Sequence, residues 1–240
     1  MGLTYYGRLL KELIFPRSCA VCGQPINIGY FCEKCRRHYA LGKVVQYQPP
    51  AQLPDMRHNA GHLLAEDVLE QVIMLYKYDG ALQEALQQIK FAGDATLLPF
   101  LREEAEAALP GGKLLWLNGF DYITWIPTSA ERLAKRGFDV PDELFGPLLD
   151  ERGHSTYRGG ILERVRQTAP LFELEPEQRR AELADCFVLG KNADVRGKSV
   201  LLCDDIYTTG STMIEAARVL REAGARRVVG VALCAARHNW

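Results

Sequence analysis

The stretch Lys198-Ser-Val-Leu-Leu-Cys-Asp204-Asp205-Ile-Tyr-Thr208-Thr209-Gly210-Ser211-Thr212 decides how the rest of this chain is read. Lys198–Cys203 has the length and apolar composition of a buried strand. Asp204 and Asp205 follow at its carboxyl end. Beyond Gly210, residues Ser211–Ala223 carry Ile214, Ala217, Arg218, Leu220 and Arg221 in helical rhythm. Gly224 ends that helix, and Arg227–Cys234 (RVVGVALC) reads as a second buried strand. Strand, loop, helix, glycine, strand is one βαβ unit, so an α/β fold with a parallel sheet flanked by helices follows. Open α/β sheets bind ligands at the carboxyl ends of their strands, where the two acids stand. The Thr and Ser hydroxyls, free backbone N–H groups and helix dipole beyond them suit a phosphate. Acids ahead of a phosphate cradle fit a ribose phosphate, with sugar hydroxyls on the carboxylates and the phosphate in the loop. A plain helix cap would account for Thr-Thr-Gly-Ser-Thr, but it would not require two acids on an apolar strand.

Working outward, Tyr122–Ile126 reads as a short strand stopped by Pro127, and residues 130–136 have helical composition. Leu82, Ala85, Leu86 and Ile89 fall at the spacing of an amphipathic helix, and residues 96–109 form a second one with Pro99 in its first turn. Gly153 to Glu173 is polar and Arg-bearing, and is expected to be a loop. Three regions follow: a small module over residues 1–42, an irregular linker over 43–75 containing QYQPPAQLPDMRHNAGH, and the main domain over 76–240.

The amino-terminal module holds Cys19-Ala-Val-Cys22 and Cys32-Glu-Lys-Cys35, two CxxC pairs separated by nine residues. Two such turns offer four soft anionic ligands at tetrahedral positions, which suits a structural Zn²⁺. A module this small cannot bury enough core without a staple. Disulfides are disfavoured in a cytoplasmic protein, and a redox CxxC belongs beside a βαβ pattern that is missing here. Lys34, Arg36, Arg37 and His38 cluster near Tyr30, Phe31 and Tyr39, a mixture that also suits single-stranded nucleic acid. Cys186, Cys203 and Cys234 lack partner spacing and read as buried hydrophobes.

Of the 240 residues, 48% are hydrophobic and 25% charged, which argues against disorder. Residues 1–42 carry six Lys or Arg against two Glu, a net +4 on a chain whose total is −1; this hints at an acidic partner for that end, but on charge alone a few exposed basic side chains without a partner are the favoured reading. No run approaches the roughly 18 apolar residues of a membrane span. Arg8, Lys11 and Glu12 interrupt the start where a signal peptide needs an apolar core, and Leu9, Leu10, Leu13 and Ile14 suit a short docking helix instead. The expectation is a cytoplasmic protein with no membrane insertion.

The acid pair with its Thr-rich loop resembles the type I phosphoribosyltransferases. Within them the chain is similar to the ComF family, competence-associated proteins with an amino-terminal zinc knuckle. The likeness runs through both CxxC pairs, Tyr78-Asp-Gly80, Ile89-Lys-Phe-Ala-Gly-Asp94, Ile126-Pro127, Arg132 and Arg136-Gly-Phe138. It continues through Arg164-Val-Arg166-Gln-Thr168, Arg179-Arg180 and the Asp-Asp and Thr-Thr-Gly loop.

The resemblance implies that Asp204 and Asp205 take the ribose 2′- and 3′-hydroxyls of phosphoribosyl diphosphate. Thr208, Thr209, Gly210, Ser211 and Thr212 would hold its 5′-phosphate. Pro127, Thr128 and Ser129 lie where the family places its diphosphate loop, with Arg132 and Arg136 nearby. Arg164 and Arg166 would belong to a flap over the leaving group, and Mg²⁺ would bridge diphosphate and ribose oxygens. Purine-salvage members carry an acid where this chain has Thr208. The family usually shows Asn-Gln after the Arg-Gly-Phe motif, where this chain has Asp139-Val140, and Leu171 and Glu182 depart from its pattern as well. These departures fall on the acceptor side. Two functions follow: a protein of DNA uptake or recombination whose pocket binds phosphoribosyl diphosphate or a nucleotide, and a phosphoribosyltransferase acting on an acceptor still to be named.

Overall fold

The computed structural model describes residues 18–19, 22–26, 32–38, 43–48, 68–109, 119–150, 159–166, 178 and 182–236. The expected amino-terminal helix at Leu9–Ile14 lies outside them, as do Tyr30, Phe31, Tyr39, Thr168, Leu171, Arg179 and Arg180. In chain order the elements are α1 (Glu33–His38), β1 (Lys43–Gln48), β2 (Gln71–Lys77), α2 (Gly80–Gln87) and α3 (Leu98–Ala108). There follow β3 (Tyr122–Trp125), α4 (Ala130–Arg136), α5 (Val140–Asp150), β4 (Leu162–Arg164), β5 (Phe187–Leu189), β6 (Ser199–Tyr207), α6 (Ser211–Glu222) and β7 (Arg227–Ala235).

The main sheet runs β1-β2-β7-β6-β3. β2, β7, β6 and β3 are parallel to one another, and β1 is antiparallel to β2 at the edge. The parallel strands bury both faces, which is why they read as unbroken apolar runs. Their residues nevertheless alternate between two cores. Leu201, Cys203, Val229, Val231, Ile73 and Ile123 join Leu82, Leu86, Phe100 and Leu101 of α2 and α3 on one side. Val200, Leu202, Val228 and Met74 join Met213, Ala217 and Leu220 of α6 on the other. Gly230 is needed for that second contact, since a Cβ there would run into the Met213 sulfur. The Tyr76 hydroxyl donates to the Glu104 backbone carbonyl of α3 at 3.0 Å, and Arg102 donates to the Glu143 carbonyl at 2.8 Å, tying α3 to α5.

The expected parallel α/β architecture is present, with Pro99 in the first turn of α3 as anticipated. Three expectations need correction. The segment read as an irregular linker carries β1 and much of β2, because Gln71–Lys77 (QVIMLYK) is as apolar as any central strand. The stretch from Gly153 read as a loop contains β4, which pairs with β5 as a separate antiparallel hairpin. The strand expected to stop at Cys203 runs on to Tyr207, because the parallel register with β7 continues through Asp204↔Ala232 to Tyr207↔Ala235. No helix among the described residues is long and apolar enough to cross a membrane.

Candidate functional site

Because β6 continues past Cys203, Asp204 and Asp205 are ladder residues of its last turn of pleat, and their side chains fall on opposite faces. Asp205 shares the face of Leu201 and Cys203 and is 5% exposed. Asp204 Oδ1 accepts the Asp205 backbone N–H at 2.8 Å. Burial, followed by the neighbouring Asp205 charge, holds the Asp204 carboxyl well above the usual range.

Thr208, Thr209 and Gly210 bridge the end of β6 to α6, whose first residue is Ser211. Gly210 has φ +82°, and a Cβ there would meet the Tyr207 ring, so this turn admits only glycine without strain. Thr209 Oγ1 and Ser211 Oγ lie 2.9 Å apart beside the open N–H groups of the helix. Thr212 is the next residue of its first turn.

β3 lies beside β6, and the Ile126 N–H donates to the Cys203 carbonyl at 2.9 Å, so Pro127, Thr128 and Ser129 emerge next to the acid pair. Ser129 precedes α4 and is buried. The Thr128 N–H donates to Asp139 Oδ2 at 2.9 Å, which pins this loop to the turn after α4. Burial pushes the Asp139 carboxyl up to about 6; the Thr128 N–H pulls it down and the Asp205 charge adds to the rise. Arg136 donates from Nε to the Phe138 carbonyl at 3.1 Å and is close enough to Asp205 and Asp139 to feel both charges. Arg132 is exposed on the same helix.

The two arginines expected on a flap separate. Arg164 stands in β4 over the Phe187 ring, 5.3 Å from its centroid, within electrostatic reach of Asp204 and Asp139. Arg166 is engaged elsewhere, donating to the Glu182 and Ala184 carbonyls, the latter at 2.9 Å, and so closing the base of the β4–β5 hairpin. One residue given no role by the sequence reading completes the cluster. Lys90 Nζ lies 2.8 Å from Asp205 Oδ1. Burial alone would depress its pKa, but the Asp205 carboxylate turns the balance upward. Nothing in a linear motif reveals this pair, because 115 residues separate its members.

At the amino-terminal end, the sulfurs of Cys19, Cys22, Cys32 and Cys35 all lie within 4.8 Å of one another. The Cys22 and Cys32 sulfurs are 3.7 Å apart, close to the edge of about 3.8 Å that a tetrahedron of metal–sulfur bonds of about 2.3 Å requires. The Cys35 N–H points at Cys32 Sγ at 3.4 Å, as expected of a CxxC knuckle. Burial and neighbouring thiols push the Cys35 thiol up to about 12, so four thiolates at one point require a cation's charge. The group fits a metal ion. Cys19 and Cys35 also belong to the same core as α2 and α3.

Residues 164–240 match the model of the phosphoribosyl transferase domain. Over 228 residues the chain is 26% identical to competence protein ComFC of Bacillus subtilis (strain 168), covering 92% of this chain and 79% of that protein. It is 27% identical over 228 residues to DNA utilization protein YhgH of Escherichia coli (strain K12), covering 92% of this chain and 98% of that protein. A shorter likeness, 42% identical over 76 residues, links it to ribose-phosphate pyrophosphokinase of Pyrococcus abyssi (strain GE5 / Orsay), covering 30% of this chain and 27% of that protein. The four-cysteine cluster and the phosphoribosyltransferase-type sheet agree with a likeness to competence protein ComFC and DNA utilization protein YhgH that spans nearly the whole chain.

Proposed function

We propose that the cleft at the carboxyl ends of β3 and β6 binds phosphoribosyl diphosphate with Mg²⁺, in a protein that serves DNA uptake or DNA processing. One observation carries the reading: β6 delivers two acids and then passes through a glycine-dependent turn directly into the amino terminus of α6. The acids suit the ribose hydroxyls, and the backbone N–H groups and hydroxyls of Thr208–Thr212 suit the 5′-phosphate. The loop Pro127–Ser129, with Arg132, Arg136 and Arg164 around it, suits the diphosphate. Mg²⁺, when bound, supplies charge neutralisation between diphosphate and ribose oxygens. The link to DNA rests on the names of the relatives, competence protein and DNA utilization protein. The four sulfurs suit Zn²⁺ in a structural role. The basic residues beside the second CxxC, of which Lys34 is exposed, would offer single-stranded DNA its phosphate contacts.

Calorimetric titration of the zinc-loaded protein with phosphoribosyl diphosphate and Mg²⁺ tests the pocket. Binding by the native chain that disappears in Asp204→Asn/Asp205→Asn is the expected result. A folded native protein that takes up no ligand would overturn the reading and leave the DNA role standing alone. A transferase with an acceptor yet to be named is the alternative. It would be established by diphosphate release on adding an amine or base, lost in Asp205→Asn.

A further inference from the structure

Asp205 is a buried acid of the site, and the cation that meets it comes from the turn directly after α2. Helix α2 does not end as an α-helix. It passes into a π-helical turn, Gln88–Ala92, whose extra residue re-aims the side chains that follow it. Ile89 of that turn is fully buried in the α2–α3 core. Gly93, in the left-handed conformation, closes it, and Asp94 caps the next segment through the Thr96 N–H at 2.9 Å. Lys90 is therefore held from both ends while its ammonium reaches Asp205 Oδ1.

The groups that face this ammonium come from several elements. Asp204 and Asp205 belong to β6, Tyr78 to the turn after β2, and Cys234 to β7. Asp139 and Arg136 face Asp205 from the turn and helix that follow the 127–129 loop. Two adjacent carboxylates and a third nearby concentrate negative charge, and Lys90 is in direct contact with Asp205. Its contact leaves one Asp205 oxygen, Oδ2, for a ligand.

We infer that Lys90 is a positioning residue of the phosphoribosyl site: the π-helical turn locks its ammonium on Asp205 Oδ1, fixing that carboxylate so that Oδ2 takes a ribose hydroxyl. The inference rests on the reading of the cleft given above. It assigns to Lys90 the sugar end of the ligand alone, because the phosphate end is held by the α6 loop.

The test compares ribose 5-phosphate, phosphoribosyl diphosphate and inorganic phosphate as ligands of the full, zinc-loaded chain. In Lys90→Met, affinity for the two sugar phosphates falls roughly tenfold or more, as expected when one member of an enclosed charge pair is removed. Affinity for inorganic phosphate stays within about twofold of native, since the loop is untouched. Lys90→Arg, which keeps the charge, restores most of the sugar-phosphate affinity. If Lys90→Met does not fold, Lys90→Gln takes its place, retaining a hydrogen bond without the charge. Sugar-phosphate affinity unchanged in the neutral variants overturns the inference, and so does an equal loss for inorganic phosphate, which would mark a general structural role. A native protein that binds none of the three ligands overturns the reading of the cleft itself, and the inference with it.

Discussion

Asp139 shows how much a single residue can carry that its neighbours in sequence do not announce. The fold places its carboxyl under the 127–129 loop, with Oδ2 on the Thr128 N–H. Its pKa, pushed up to about 6 by burial, lies above the ordinary value of 3.8. The folded state therefore holds the Asp139 proton more tightly than the unfolded chain does. The stability this confers is fully present below about pH 4 and is lost as the pH rises through about 6. Asp139→Asn removes the titration, so the variant should be more stable than native at pH 7 by on the order of 1–3 kcal/mol, with the gap closing near pH 4. Denaturant midpoints of both proteins from pH 4 to 7.5 measure it, and parallel curves would refute the assignment. The acid pair and the Thr-rich loop were legible in sequence because they are contiguous and each residue's chemistry is overt. Lys90 was not, since its partner is brought to it only by the crossover of α2 over the sheet.

At the scale of elements, β3, β6 and β7 were legible from their apolar composition, β2 fell in the segment read as linker although equally apolar, and the strands whose identity depends on a partner were not legible. β6 and β7 read as strands from composition, yet the end of β6 was misplaced by four residues because the ladder with β7, and not side-chain polarity, sets where pairing stops. β4 and β5 are three residues each and exist by pairing with one another, a fact no local pattern contains. The π-helical turn was hidden as well, because Gln88–Ala92 has the composition of an ordinary last helical turn. The α6–β7 contact allows a prediction at this scale. Gly230 leaves room for Met213, which is 1% exposed and stands two residues into α6. Gly230→Ala should cost about 1–3 kcal/mol by overpacking. It should also weaken sugar-phosphate binding, because the start of α6 is displaced. Met213→Ala on the Gly230→Ala background should recover part of both losses, whereas additive costs in the double mutant would show that the two residues do not share the contact.

Across the whole molecule, the question is whether the four-cysteine module stands apart, as its position in the chain suggests, or is built into the main domain. Cys19 and Cys35 are 2% and 7% exposed, and they sit in the same hydrophobic cluster as Leu86, Ile89 and Leu101, with Ile26 and Cys32 packed against it. That cluster extends to Cys203 and Cys234, the latter donating from sulfur to the Asp205 carbonyl at 3.4 Å directly beneath the acid pair. A metal bound by the native module and not by the unfolded chain stabilises everything that unfolds with it. Stripping the metal with a chelator should therefore lower the melting temperature of the entire protein within one cooperative transition, by several degrees or more. Cys35→Ser should do the same without chelator. Calorimetric scans of the metal-loaded, chelated and Cys35→Ser forms decide the matter. A main transition unmoved by chelation, preceded by a small separate one, would mean that the shared core does not couple the two regions. A single shifted transition would mean that the metal holds in place one wall of the core on which α2, its π-helical turn and Lys90 rest.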